Sequence, residues 1–202
     1  MSNFLSQFGP ITLMLLGAVL SIGGAIWAQL QNDRQQSEII RLNRHITEAV
    51  TGGDSYPVVS PVFLARHGEQ GDIRRLSLMH SGKYPVYDLV LRVTDVAKLR
   101  ALSKKGGYFS QNEYMWQFHI GTIGRGYENV FMDIPLQESE RMEFSFTFLA
   151  RNGQFNQRAI YQKTKGVWHT ALRIEKDGKL VYENIDNGFP DTLVGELAKP
   201  IL

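Results

Sequence analysis

One uncharged apolar stretch near the start of the chain constrains how everything after it can fold. Residues Ile11 to Ala28 are 18 consecutive positions without a charged side chain. As a helix rising about 1.5 Å per residue, the stretch would extend about 27 Å, close to the roughly 30 Å hydrocarbon thickness of a bilayer. A soluble-domain helix of that length normally keeps a polar face, and this one has none. We therefore predict a transmembrane anchor over residues 1–30, with a buried core helix and a signal peptide as the alternatives.

The charges beside the anchor predict its orientation. No Lys or Arg precedes the apolar stretch, whereas Arg34, Arg41 and Arg44 follow it closely. Because positively charged flanks remain in the cytoplasm, we expect the N-terminus outside and the C-terminal domain inside. The expected location is the plasma (inner) membrane, crossed once.

Residues 31–53 are predicted to form a short helical stalk and a hinge. Apolar residues recur there at alternating spacings of three and four, as in the seam of a coiled coil: Ile39, Leu42, Ile46 and Ala49. These four are the predicted oligomerisation residues, so we expect a homo-oligomer. The alternative is an amphipathic helix that lies on its own domain or on membrane lipid. The sequence Thr51-Gly52-Gly53-Asp54 then ends the helix.

From Tyr56 onward the apolar residues alternate, and this period of two predicts β-strands. Eight or nine short strands are separated by turn signals, of which three are dipeptides that end in glycine: Asn152-Gly153, Lys165-Gly166 and Asp177-Gly178. Helix is expected only over Val96–Leu102 and as one closing turn within Asp191–Leu202. The strand spacing favours an immunoglobulin-like antiparallel β-sandwich over residues 54–202.

Composition excludes several kinds of site. The chain has no cysteine, which excludes disulfides, thiolate metal sites and a cysteine nucleophile. From Tyr56 to the end there are 19 Lys and Arg against 16 Asp and Glu, too small an excess to predict binding to a nucleic-acid polymer. The histidines do not pair at spacings that would preset two metal ligands on one element, so we predict no metal and no cofactor.

One short motif points to an enzyme. The string Val62 to Glu69, VFLARHGE, resembles the RHGE signature of the histidine phosphatase and phosphoglycerate mutase superfamily. The resemblance implies an α/β fold, phosphorylation of His67, a phosphate clamp at Arg66 and a pocket role for Glu69. That family also has a second histidine at the end of a later strand, for which His119 is the candidate here. The alternative is a solvated hairpin between the first two strands.

Basic and aromatic residues gather in the predicted C-terminal hairpins: Arg151, Arg158, Tyr161, Lys163, His169 and Arg173. On one face they could hold an anionic small molecule, such as a nucleotide, by charge and stacking. The alternative is the solvated face of an antiparallel sheet, because glutamines are interspersed among them.

These features lead to one favoured function and two alternatives. The favoured function is that of a non-enzymatic, homo-oligomeric membrane protein whose cytoplasmic β-sandwich recognises a ligand or another protein. The first alternative is a membrane effector gated by an anionic signalling molecule. The second is a membrane-tethered phosphatase that uses His67.

Overall fold

The computed structural model describes residues 2–63, 73–106, 108, 110–124, 130–132, 134–136 and 139–199. The chain forms two compact units, Met1–Thr47 and Glu48–Leu202. The protein is mostly β, with antiparallel sheets and one long apolar helix at its N-terminal end, as the sequence predicts.

The predicted anchor and stalk lie in one helix, α1 (Ser2–Thr51). From Thr12 onward this helix is long and apolar enough to span a membrane, and none of its apolar window is buried by the rest of the protein. The side chains of Ile39, Leu42 and Ile46 are 49–61% exposed. Apolar side chains with this exposure are available to a partner, and the coiled coil itself stays a prediction.

The second unit contains the β-strands and two short helices. In chain order the described elements are β1 (Tyr56–Phe63), β2 (Ile73–Ser81), β3 (Val86–Asp95), α2 (Val96–Lys105), a single 3₁₀ turn (Gln111–Glu113), β4 (Met115–Ile123), β5 (Val130–Met132), β6 (Arg141–Ala150), β7 (Gly153–Thr164), β8 (Val167–Lys176), β9 (Lys179–Ile185) and α3 (Asp191–Val194). Asp95 begins α2 by accepting a hydrogen bond from the Lys98 amide, 2.9 Å away.

The strands form two antiparallel sheets that share one core. The smaller sheet has the order β1-β2-β5, and the larger has the order β4-β3-β6-β7-β8-β9. Both sheets contribute fully buried side chains, among them Val59 and Leu78 from the smaller sheet and Phe146 and Phe148 from the larger. The prediction of an antiparallel β-sandwich is confirmed to this extent.

Two of the three glycine turns form as predicted. Lys165 and Gly166 have φ angles of 52° and 83°, and Asp177 and Gly178 have φ angles of 49° and 76°. Both residues of each pair therefore have the positive φ that a type I′ turn requires. Each turn joins two neighbouring strands of the larger sheet, β7 to β8 and β8 to β9.

The third hairpin forms with its turn one residue earlier than predicted. Ala150 pairs with Gly153, so the two loop residues are Arg151 and Asn152. Gly153 has a φ of 128°, while Asn152 is not among the residues with positive φ. Asn-Gly normally favours the two loop positions of a hairpin. Here the tertiary contacts of the Asn152 side chain outweigh that local preference.

This contact fixes the segment that leads into the β domain. The Asn152 amide donates hydrogen bonds to the carbonyl oxygens of Gly53 and Ser55, at 3.1 and 2.7 Å. Gly52 has a φ of 99°, and a Cβ there would lie 2.8 Å from the Pro85 carbonyl oxygen. The predicted hinge is therefore tied to the β domain by hydrogen bonds and by close backbone contact.

A buried glutamine joins the two sheets. The Gln157 side-chain amide donates to the Val59 carbonyl oxygen at 2.6 Å and accepts from the Val59 N–H at 2.8 Å. Gln157 is 1% exposed. Pro57 lies two residues before Val59 and Pro61 lies two residues after it, and neither proline has an N–H to donate. At the free edge of β1, the backbone groups of Val59 are thus satisfied by a side chain instead of by another strand.

We predict that Gln157→Leu destabilises the protein strongly. The substitution leaves the N–H and C=O of Val59 buried without partners, at a cost of about 1–3 kcal/mol for each group. The measurement is the free energy of unfolding of the full chain in mild detergent. Gln154→Leu, at an exposed glutamine of the same strand, should change that free energy by less than about 0.5 kcal/mol. Equal effects of the two substitutions would show that the Gln157 bonds contribute nothing.

Candidate functional site

The six predicted ligand-binding residues do not share a surface. Arg158 pairs with Arg173 across β7 and β8, and His169 lies on the same side of β8 as Arg173. We call this side of the larger sheet the outer face. Tyr161 and Lys163 lie at odd spacing from Arg158 along β7, so their side chains point to the opposite side, which we call the core face. The sixth residue, Arg151, lies in the β6–β7 turn.

The cations among these residues already have partners within the domain: Arg151 with Asp88, Arg158 with Glu143, Arg173 with Glu175 and Glu183, and Lys163 with the Trp168 ring. The Arg151 pair is exposed and contributes at most about 1 kcal/mol. Arg158 and Glu143 are both buried. The structure therefore does not bring the six residues together, and anion binding by them stays a prediction.

Tyr161 is a core residue. It is fully buried beside Phe144, with their ring centroids 6.2 Å apart. Its hydroxyl is buried and has no hydrogen-bond partner among the described residues. Burial raises the pKa of the Tyr161 hydroxyl above its usual value of 10.0. In this position the ring has no exposed face on which a ligand could stack.

We predict that Tyr161→Phe stabilises the protein, most clearly at alkaline pH. At pH 7 the change removes an unpaired buried hydroxyl, which should raise the free energy of unfolding by about 1 kcal/mol. The folded-state pKa lies above the unfolded-state pKa, so the parent loses stability as pH rises past about 10, where the unfolded chain ionises. The difference in denaturant midpoint between Tyr161→Phe and the parent should therefore be larger at about pH 10.5 than at about pH 7. Tyr108→Phe, at an exposed tyrosine, is the control, and a destabilised Tyr161→Phe would refute the prediction.

The phosphatase-like motif, Arg66 to Glu69, lies outside the described residues. His119 is described, and it lies on β4 with an exposed side chain whose Nε2 is 3.2 Å from the Gln117 amide nitrogen. In the described part of the chain, no three His, Asp or Glu side chains cluster closely enough to hold a metal ion. The hypothesis of a catalytic His67 therefore stays a prediction.

The structure forms a cleft that the sequence does not predict. It lies between the β1–β2 hairpin and strands β8 and β9, with a volume of about 540 Å³. Tyr56, Val58 and Ser60 alternate along β1 and face it, and Met79 and Ser81 face it from β2. These five residues share one side of the hairpin because Tyr56 pairs with Ser81 and Val58 pairs with Met79. We call this space the corner cleft.

The far wall of the corner cleft comes from the larger sheet. Leu172 of β8 is nearly buried, and Tyr182 and Asn184 of β9 are exposed. The rings of Tyr56 and Tyr182 lie 6.2 Å apart across the cleft, tilted by 36°. No Lys, Arg, Asp or Glu occurs among the described residues that line it. His80 also lines the cleft, and its Nε2 lies 2.7 Å from the Tyr84 carbonyl oxygen.

This lining suits an uncharged group with an apolar body. Valine, leucine and methionine side chains supply apolar contact, and the two tyrosine rings can stack on a flat group. The side chains of Ser60, Ser81 and Asn184 make no hydrogen bond to other described residues, so they are available to a ligand. Ligand sites of roughly 300–1,000 Å³ commonly combine such an apolar lining with a few polar groups. The sequence pattern does not predict this site, because its two walls, residues 56–82 and residues 172–184, lie at least 90 residues apart in the chain.

Comparison with known proteins gives no relative from which a function could be transferred. No protein-family model, no curated protein and no solved structure matches this chain.

Proposed function

We propose that this chain is a single-pass membrane-anchored recognition protein, without enzymatic activity, that binds an uncharged apolar or aromatic group in the corner cleft. The observation that supports this function is the cleft itself, with two tyrosine rings, an apolar wall and unoccupied serine and asparagine side chains. An anionic ligand is less well supported at this place, because no cation lines it among the described residues.

The strand order supports an immunoglobulin-like arrangement of the domain. In such folds strands A, B and E lie in one sheet and strands C, F and G in the other. Here β1-β2-β5 corresponds to A-B-E, and β4-β3-β6-β7 corresponds to C′-C-F-G. Strands β8 and β9 extend the second sheet beyond G. The corner cleft lies against this extension. The two additional strands would therefore supply one wall of the binding site.

We also propose that the domain lies in the cytoplasm. Arg34, Arg41 and Arg44 follow the apolar part of α1, and no Lys or Arg precedes it, so the positive-inside rule retains the C-terminal side. A reporter enzyme that is active only in the periplasm, fused after Leu202, should be inactive. Activity of that reporter would reverse the topology.

The cleft predicts a measurable loss of binding in Tyr182→Ala. We expect uncharged aromatic fragments such as phenol, indole and benzamide to bind the full chain in detergent by saturation-transfer NMR. Loss of one aromatic contact, at about 0.5–1.5 kcal/mol, should weaken binding about 2- to 10-fold.

Tyr108→Ala, which removes an exposed tyrosine outside the cleft, should bind the fragments as the parent does. Equal binding by parent, Tyr182→Ala and Tyr108→Ala would contradict recognition in the corner cleft.

If Ile39 and Ile46 lie in the oligomer interface, negative charges at these two positions should dissociate the oligomer. Burying an Ile side chain contributes about 1.5–3 kcal/mol, and Ile39→Asp with Ile46→Asp would replace that gain by buried like charges. Chemical crosslinking of the full chain in membranes should then show monomer. The pair Ile40→Asp and Thr47→Asp has the same spacing and charge outside the seam, and it should leave the crosslinked ladder unchanged. An unchanged ladder in Ile39→Asp/Ile46→Asp would exclude the stalk as the assembly element.

A further inference from the structure

Residues 189–199, which we call the covering segment, cover part of the outer face of the larger sheet. Phe189 and Leu197 from this segment bury Ile160 of β7 and Ala171 of β8 in a small apolar cluster. This cluster is separate from the core that the two sheets share. From the same segment, Leu193 and Val194 are partly buried against the cluster, so release of the segment would expose the apolar area of four side chains.

Beside this cluster, three guanidinium groups surround one carboxylate. Glu143 is 2% exposed and accepts hydrogen bonds from Arg158, from Arg100 at 2.7 Å and from Arg141 at 3.4 Å. Arg100 comes from α2, Arg141 and Glu143 from β6, and Arg158 from β7. Three positive charges thus share a single buried carboxylate, which leaves them with unused capacity for a second anion.

The covering segment supplies that second set of acceptors. The Glu196 carboxylate lies 2.5 Å from the Arg141 Nη2, and the Lys199 carbonyl oxygen accepts from the Arg158 Nη1 at 2.7 Å. The Nε of Arg158 is buried and has no hydrogen-bond partner among the described residues. The segment therefore leaves one donor of Arg158 unsatisfied.

We propose that Arg100, Arg141 and Arg158 form a binding site for a small oxyanion, phosphate or carboxylate, which the covering segment occupies in this structure through Glu196. Planar guanidinium groups match the geometry of both anions and bind them more strongly than neutral donors do. A phosphate oxygen at the place of the Glu196 carboxylate would meet the Arg141 donors, and release of the segment would open Arg158 as well. Binding of the anion and release of the segment are therefore coupled.

The charge of Glu196 supports this competition. Its hydrogen bond to Arg141 holds the pKa of the Glu196 carboxyl below the usual value of 4.5, so the group is ionised at neutral pH. A group tethered this closely acts at an effective concentration of the order of millimolar. A free anion must exceed that concentration, or bind more contacts, to replace it.

The test measures anion binding and segment release separately on the full chain in mild detergent. Equilibrium dialysis against labelled pyrophosphate, with succinate as the carboxylate arm and chloride at equal ionic strength as the blank, gives the affinity. Hydrogen–deuterium exchange of the Leu197 and Lys199 amides, which donate to Val194 and Glu196, reports the segment. We expect pyrophosphate to accelerate this exchange at least about fivefold, with the β6–β7 amides unchanged.

Three variants decide the outcome. Glu196→Gln should lower the half-saturating pyrophosphate concentration about tenfold, because it removes the tethered competitor. Asp191→Asn, the same charge change at an exposed residue of the same segment, should leave it unchanged. Arg141→Gln should abolish binding in the dialysis measurement, whatever it does to the segment. Binding no stronger than that of chloride, equal effects of Glu196→Gln and Asp191→Asn, or full binding by Arg141→Gln would each overturn the proposal, and none of these results bears on the corner cleft.

Discussion

The arrangement of the two sheets depends on how the backbone of Val59 is satisfied. A buried N–H and C=O without partners would cost several kcal/mol, and none of the described strands pairs with the free edge of β1. Gln157 reaches from the larger sheet and makes both bonds. Because this contact holds the edge of β1 against β7, one side of the β1–β2 hairpin closes over the aromatic core. The other side of the hairpin faces β8 and β9, and the corner cleft lies between them.

A second constraint acts on the outer face, where a carboxylate is buried in the sheet. A buried charge is tolerated only when it is paired, and Glu143 forms ion pairs with arginines from α2, β6 and β7. The domain thus has an uncharged cleft on one side and a concentration of guanidinium groups on the other. The two surfaces suit ligands of different chemistry, an uncharged group and an anion.

The sequence predicts the strands well because their signal is local. A period of two and glycine turns such as Lys165-Gly166 and Asp177-Gly178 depend on neighbouring residues alone. The sequence was a poorer guide to which side chains share a surface. Arg158 and Tyr161 lie three positions apart on β7, and residues an odd number of positions apart lie on opposite sides of a strand. The Asn152 turn shifted by one residue because its side chain binds the backbone of Gly53 and Ser55, far away in sequence. The corner cleft could not be predicted, since nothing in the alternation pattern says which hairpin stands above which strand.

The same long-range contacts set an order of events during synthesis. Val59 meets Gln157 across 98 residues, and Ser55 meets Asn152 across 97. At translation rates of about 5–20 residues per second, β1 would leave the ribosome about 5–20 seconds before these partners exist. During that interval its free edge resembles a template on which another nascent chain could add a strand. Pro57 and Pro61 withhold two donors from that edge from the moment it is made, so the strand is protected against aggregation before the fold can protect it.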